Sequence, residues 1–396
     1  MFCRFEDRLA GRALQLDGAG ECIEARTPAQ LQPALRAIEA ARRQGKWVAL
    51  LLDFELGEWL LPLPGHAARA PASHGHPDPA RAPAASALAP ASAEADRPRL
   101  RALVFDTMRE EPPWPATGTA GGIQGVAPRL ERAGYLPRIE AIRDGIGRGA
   151  YYQVNYTMPL DMRVQGDRRA LYTRIAARNP VAHAAYIEDG ERTVLSFSPE
   201  LFVQRRGELL TTRPMKGTAP RDPDPARDRA LGQALLASEK NRAENLMIVD
   251  LLRNDLGRLA QPGSVHVDAL FTLERYPTVW TMTSTVTARA PHAGLGEVLA
   301  ALFPCGSVTG APKIAALAHI RDTEIAPRGL YCGSVGWLAP DGDFSLNVAI
   351  RTLVVDADGR GIYGVGGGIV HDSEPDAEWQ ECLWKARILD PERDPA

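Results

Sequence analysis

Cysteine is scarce in this chain, long apolar runs are absent, and neither sign of charge is in excess. The five cysteines among 396 residues (Cys3, Cys22, Cys305, Cys332 and Cys382) are odd in number, dispersed and never spaced Cys-x-x-Cys. That excludes a disulfide framework and a zinc knuckle, and predicts reduced thiols in a cytoplasmic protein. No stretch approaches the roughly 18 apolar residues of a transmembrane helix. Residues 1–7 carry too much charge for a secretory signal, so no membrane association is expected. A net charge of −3 and a pI near 6.3 argue against a nucleic-acid partner. No internal repeat is present, and no segment fits the GxxxxGK[ST] pattern of a nucleotide P-loop.

What is present reads as a globular chain, 45% hydrophobic and 24% charged, long enough for one large domain or two ordinary ones. Leu31, Leu35 and Ile38 recur at helical spacing, and residues 47–52 form an apolar run of strand length. From 66 to 98 the chain is mostly Ala, Pro, Ser and His. Too little apolar surface is available there to offset ordering entropy, which predicts a disordered insertion. Order resumes at 101–105. Tyr135, Ile139, Ile142 and Ile146 mark a helix, 151–164 a long strand, and 184–210 several short strands. Leu246, Val249, Leu252 and Leu256 predict a helix over 244–259 packed along that face. Strands are expected over 331–338, 346–355 and 361–365, and a last helix over 376–388. Strand runs broken by isolated helices point to an α+β fold with mainly antiparallel sheet. The expected division is a divergent N-terminal region, 1–125, and a catalytic domain, 126–390.

Several segments could carry chemistry. Lys216 stands in Arg213-Pro214-Met215-Lys216-Gly217-Thr218, sixteen positions after Glu200 of Ser198-Pro199-Glu200. An amine on a tight turn with an acid nearby suits nucleophilic attack on an electrophilic small molecule; a solvated loop lysine is the plainer reading. Glu378, Glu381 and Lys385 fall on one face of the last helix, as a salt-bridged surface or as part of a site. The preceding Gly364-Val365-Gly366-Gly367-Gly368-Ile369 reads as a glycine-rich turn, either a tight strand exit or a backbone cradle for an anion. Beside an acidic helix the second reading needs a divalent cation between them. Residues 305–313 make a plausible carboxylate cradle at a helix start, and Arg351 is either a carboxylate clamp or a strand-end surface residue. Glu244 near a helix start is explained by the helix dipole alone. Asp250, Arg253 and Asp255 within an otherwise apolar helix predict a structural ion-pair network.

Taken in order, these blocks resemble the chorismate-utilising enzymes, in particular the branch that makes aminodeoxychorismate. The carriers are Tyr152-Gln153-Val154-Asn155, Ser198-Pro199-Glu200-Leu201-Phe202, Thr212 to Thr218, Arg242-Ala243-Glu244-Asn245, Gly306 to Lys313, Asn347 to Thr352, and Gly366-Gly367-Gly368-Ile369-Val370. Seven blocks in the family's order are specific where any one is weak, and they cover about two thirds of the chain. The resemblance implies two largely antiparallel sheets packed face to face with helices outside and the active site between them. It implies Mg²⁺ held by Glu244 and Glu381, with Glu378 nearby through water. A hard cation with oxygen ligands can bridge a substrate carboxylate to protein carboxylates. Gln153, Gly217, Thr309, Gly310, Tyr331, Arg351, Gly367, Gly368 and Lys385 match substrate-binding positions, and Glu200 matches the general acid at the departing C4 hydroxyl. That role near neutral pH needs a raised pKa.

Lys216 separates the branches, since anthranilate synthases usually carry alanine there. In the aminodeoxychorismate branch this lysine attacks C2 of chorismate; ammonia from a separate glutamine amidotransferase, component II, then adds at C4. Attack requires the neutral amine, which desolvation favours and nearby carboxylates oppose. Gln153 stands where isochorismate and salicylate synthases place a water-activating lysine, so water addition at C2 is disfavoured. Thr281 is a departure: many relatives have histidine there, and a threonine cannot carry a proton near pH 7. No amidotransferase constellation is evident, and a fused lyase is not expected after the last helix. The competing readings are an anthranilate synthase component I and a non-catalytic chorismate-binding protein.

Overall fold

The computed structural model describes residues 1–64, 97–116, 118, 121–276 and 279–390. The Ala/Pro-rich stretch expected to be disordered, 66–98, lies outside the described residues apart from Arg97 and Pro98.

Eighteen strands among the described residues join one antiparallel ladder. From the edge strand Gly122–Pro128 it runs through Gln153–Gln165, Arg360–Ile369, Thr352–Asp356, Arg192–Ser198, His183–Glu188, Phe2–Asp7 and Arg12–Ala25. It continues through Leu100–Glu111, Trp47–Leu52, Ser334–Leu338, Phe344–Asn347, Leu201–Arg206 and Leu209–Arg213 to Val279–Arg289 and the edge strand His266–Arg275. The α+β class expected from sequence is the class observed. The two expected sheets are the halves of this ladder, joined where two connections cross side by side. Between Ser198 and Leu201, and between Asn347 and Thr352, the chain passes from one half to the other. There Val348 N–H donates to Glu200 O at 3.0 Å and Phe197 N–H to Arg351 O at 3.0 Å. One buried cluster runs through both halves, from Leu50, Leu52 and Val104 to Tyr156, Phe197 and Tyr363. Strands from the first 125 residues are built into the ladder.

The helices expected around Tyr135 and in the last forty residues form as Arg132–Gly147 and Pro375–Lys385. They are locked together over the Gln153–Gln165 strand: the Tyr135 ring lies 5.6 Å from that of Tyr156 and 5.3 Å from that of Trp379, and its hydroxyl is 3.5 Å from Cys382 Sγ. Burying Trp379 and Cys382 fixes the rotation of the last helix and so where its acidic residues point.

Two expectations change. The Gly364–Ile369 run is not a turn: it lies within the strand Arg360–Ile369 and pairs with Gln153–Gln165 along its length. In the helix Glu239–Gly257 the buried face is Asn245, Ile248, Val249, Leu252, Asp255 and Leu256, and Leu246 is 44% exposed. Two polar residues took places on that face because each has a partner. Ser284 Oγ donates to Asn245 Oδ1 at 2.6 Å, and Lys313 Nζ binds Asp255 Oδ2 at 2.6 Å and Leu302 O at 3.0 Å. The expected ion-pair network divides: Asp255 pairs inward with Lys313, while Asp250 and Arg253 pair on the surface at 3.2 Å.

Removing one partner of a buried ion pair strands the other charge. Asp255→Ala is therefore expected to cost about 3 kcal/mol in urea unfolding at pH 7, against under about 1 kcal/mol for Asp250→Ala. Equal small losses would show that the Lys313 pair is not stabilising.

Candidate active site

Pro214 interrupts the strand that begins at Leu209, and Met215–Pro220 resumes pairing with Val279–Arg289. The register shifts between Met215 and Thr218, which leaves Lys216 and Gly217 in a bulge. Gly217 has φ +85°, the left-handed region, and an added Cβ would lie 3.1 Å from Leu235 and 3.2 Å from Asn241, so glycine is required on both counts. Lys216 is half-buried, and among the described residues its Nζ has no hydrogen-bond or ion-pair partner.

Glu200 sits in one of the two crossings and is 3% exposed, its Oε1 buried without a hydrogen-bond partner. Burial pushes its carboxyl up to about 7, against opposing pulls from the Ser307 side chain, the Lys216 ammonium and the Met215 amide. The cause is desolvation, with no second carboxylate involved. Arg351 lies in the other crossing with φ +50°, a strained backbone for a side-chain-bearing residue. Among the described residues its guanidinium has no partner, and burial draws it below its ordinary range. Tyr331 precedes a second left-handed residue, Cys332 at φ +61°, and its ring rests directly on Gly364.

The glycine strand forms the opposite wall. A Cβ at Gly367 would lie 3.0 Å from Glu378 Oε2, 3.7 Å from Glu381 Oε1 and 3.9 Å from Lys385 Nζ; one at Gly368 would lie 2.8 Å from Gln153 Nε2 and 3.3 Å from Lys216 Nζ. The glycines thus clear space for side chains to close on the backbone. Ser373 Oγ donates to Glu378 Oε1 at 2.7 Å, and Lys385 Nζ binds Glu381 at 2.6 Å and Gly366 O at 2.7 Å. Burial raises the Glu378 carboxyl; the Ser373 hydrogen bond opposes this and the Glu381 charge adds to it.

These groups share one cavity of about 530 Å³ between the two halves of the ladder, within the size range of small-molecule sites. Lys216, Glu200, Gly217, Tyr331, Arg351, Gly367, Gly368, Lys385, Glu244, Glu378 and Glu381 all line it. Three residues named from sequence stand behind its wall instead. Gln153 is fully buried with both amide atoms unpartnered. The Thr309 hydroxyl donates to Cys305 O at 3.1 Å and Gly306 O at 3.2 Å. Gly310 pairs with Val154 in a two-residue strand. Sequence reasoning passed over Ser307, Ser373 and Lys240, which act on Glu200 and Glu378. Ser307 lay inside a quoted motif, whereas nothing local marks Ser373 or Lys240.

The three glutamates offer only carboxylate oxygens, the donor set of a hard divalent cation, and a cation would relieve the repulsion between Glu378 and Glu381. Among the described residues no three acidic, histidine or cysteine side chains already converge as a metal requires. The chemistry of the donor set suits a hard cation such as Mg²⁺, while in this arrangement Lys385 holds Glu381 and Ser373 holds Glu378.

A carboxyl whose folded pKa is raised disfavours the fold as pH rises from its unfolded value, 4.5, to its folded value near 7. Glu200→Gln removes that penalty. Its stability relative to the unsubstituted chain is expected to grow across this window by roughly 3 kcal/mol, read from urea unfolding at several pH values. A pH-independent difference would mean that Glu200 is ionised in the folded state.

The sequence profile described as chorismate binding enzyme matches residues 8–391. The chain is 44% identical over 262 residues to aminodeoxychorismate synthase component 1 of Klebsiella aerogenes, covering 66% of this chain and 58% of that protein. It is 40% identical over 276 residues to anthranilate synthase component 1 of Streptomyces coelicolor, covering 69% and 54%. The chain thus spans somewhat over half the length of these curated relatives. Its fold is similar to that of anthranilate synthase component I from Streptococcus pneumoniae TIGR4, with TM-score 0.77, 21% identity, and 96% and 92% of the two chains covered. It is also similar to MenF, the menaquinone-specific isochorismate synthase from Escherichia coli, with TM-score 0.74, 19% identity, and 98% and 88% covered.

Proposed function

This chain belongs to the chorismate-binding enzyme family, and from that premise we propose that it aminates chorismate at C4 to give 4-amino-4-deoxychorismate. The observation that carries the reading is the presence, on the wall of one cavity, of an amine without a partner among the described residues, Lys216, and a buried acid, Glu200. Attack requires the neutral form of the amine, and the bulge places Lys216 on the cavity wall. The neutral amine attacks C2 of the ring; the double bond shifts, and the C4 oxygen leaves with the Glu200 proton as water. Ammonia then adds at C4, the double bond returns, and the C2–nitrogen bond to Lys216 breaks. Glu200 is reprotonated between turnovers, and the enolpyruvyl group is retained.

Chorismate carries two carboxylates. Arg351, without a partner among the described residues and lining the same cavity, is suited to a bidentate hold on one. Glu244, Glu378 and Glu381 would hold Mg²⁺, which supplies positive charge to neutralise and orient the other carboxylate. Lys385, once released from Glu381, adds a second cation on that side. Gln153, unpartnered behind Gly368, offers an amide where a water-activating base would otherwise stand; that favours lysine over water as the C2 nucleophile. Ammonia is proposed to come from a separate glutamine amidotransferase subunit, in the cytoplasm, with p-aminobenzoate and folate downstream. No helix among the described residues is long and apolar enough to cross a membrane.

Incubation with Mg²⁺, chorismate and an ammonium salt is expected to yield aminodeoxychorismate without pyruvate. Lys216→Ala should abolish the aminated product, and Glu200→Gln should lower kcat roughly 100-fold or more. Because the acid must be protonated, kcat/KM should fall above about pH 7. Anthranilate with released pyruvate as the main product would assign the chain to the other branch. Mg²⁺-dependent chorismate binding without any turnover would make it a binding protein.

A further inference from the structure

The strand Val279–Arg289 holds the lysine-bearing segment at three points. Ser284 N–H donates to Pro214 O at 3.2 Å. Thr283 Oγ1 donates to Glu274 Oε1 at 2.6 Å, and that carboxylate also binds the Arg213 guanidinium. Thr281 Oγ1 donates to Gly217 O at 3.1 Å. The first two contacts fix the entry to the bulge. Only the third reaches its interior, at the residue bonded to Lys216. Regular pairing is absent there: Met215 is opposite Thr283 and Thr218 opposite Thr281, with no register partner for Lys216 or Gly217. Inside the bulge the Gly217 carbonyl thus accepts from a side-chain hydroxyl whose residue is 1% exposed and shielded from competing water. On the other side of the bulge, Leu235 and Asn241 pack against Gly217.

We propose that Thr281 is a positioning residue for the amination reaction: its hydroxyl pins the Gly217 carbonyl and thereby sets the direction in which Lys216 meets the ring. This rests on the proposed role of Lys216. A threonine hydroxyl does not exchange protons in the neutral range as an imidazole would. In this chain the position contributes geometry and no proton. Misdirection of a nucleophile by a fraction of an ångström lowers the rate of attack while leaving substrate affinity nearly intact.

The test uses the full chain with Mg²⁺, chorismate and ammonium chloride. Thr281→Val keeps shape and removes the donor. It is expected to lower kcat about tenfold, the worth of one buried hydrogen bond, with KM for chorismate within about twofold and the midpoints of the pH profile unmoved. Thr281→Ser, which restores the donor, should recover most of the loss. Amide hydrogen exchange at residues 215–218, read by mass spectrometry without substrate, should quicken in the valine variant and not in the serine variant. If the valine variant does not fold, Thr281→Ala reads the same loss. Unchanged kcat together with unchanged exchange would overturn the proposal, as would disappearance of a limb of the pH profile, which would make the residue part of a proton path. If the unsubstituted chain makes no aminated product, the proposed function fails while the exchange data still decide whether Thr281 holds the bulge.

Discussion

Close approach to a bare backbone is the constraint on which the site depends. Along Arg360–Ile369 the missing Cβ atoms at Gly364, Gly367 and Gly368 let Tyr331, Glu378, Gln153 and Lys216 reach the strand itself. A Cβ at Gly367 would crowd the acidic helix, and one at Gly368 would crowd Gln153 and Lys216. The strand can carry so many glycines because residues 360–369 pair continuously with Gln153–Gln165, and residues 361–363 pair also with Thr352–Asp356. Its order comes from neighbours and not from its own side chains, which offsets the entropic cost of glycine in a strand.

The electrostatics follow from that geometry. On the acidic side of the cavity Lys385 sits on Glu381, and the Ser373 hydroxyl donates to Glu378. Lys216 and Arg351 are not matched among the described residues, and a ligand with two carboxylates and an electrophilic ring supplies what both lack. Glu200 differs from the other acids in being almost fully buried, and desolvation alone brings its titration into the neutral range. That carboxyl is thereby partly protonated near neutral pH, while the exposed Glu381 is paired with Lys385 four residues on.

Much of this was readable beforehand because local pattern and tertiary role agreed. Tyr135, Ile139 and Ile142 are buried on their helix as the spacing predicts, and the strand before Gln165 forms where β-prone residues cluster. The quoted motifs brought Lys216, Glu200, Arg351 and the three glutamates to one cavity. Two readings failed for physical reasons. Glycines were taken as a turn, whereas each keeps an extended backbone and is needed for clearance, a demand set by residues far away in the chain. Leu246 was placed on a buried face that Asn245 and Asp255 occupy instead, where Ser284 donates to Asn245 Oδ1 and Lys313 pairs with Asp255 across the interior. Partners remote in sequence cannot be inferred from periodicity. The same holds for Ser373, whose contact with Glu378 appears only once the last helix has docked.

The paired crossings at Ser198–Leu201 and Asn347–Thr352 carry a mechanical consequence. Because both connections belong to strands hydrogen-bonded on each side, the two walls of the cleft cannot hinge apart without tearing main-chain bonds. Admission and release of a molecule must then be accommodated at the rim, where the helices bearing Glu244 and Glu381 rest on the sheet through side chains alone. Opening of the cleft then falls to the helices that carry Glu244 and Glu381.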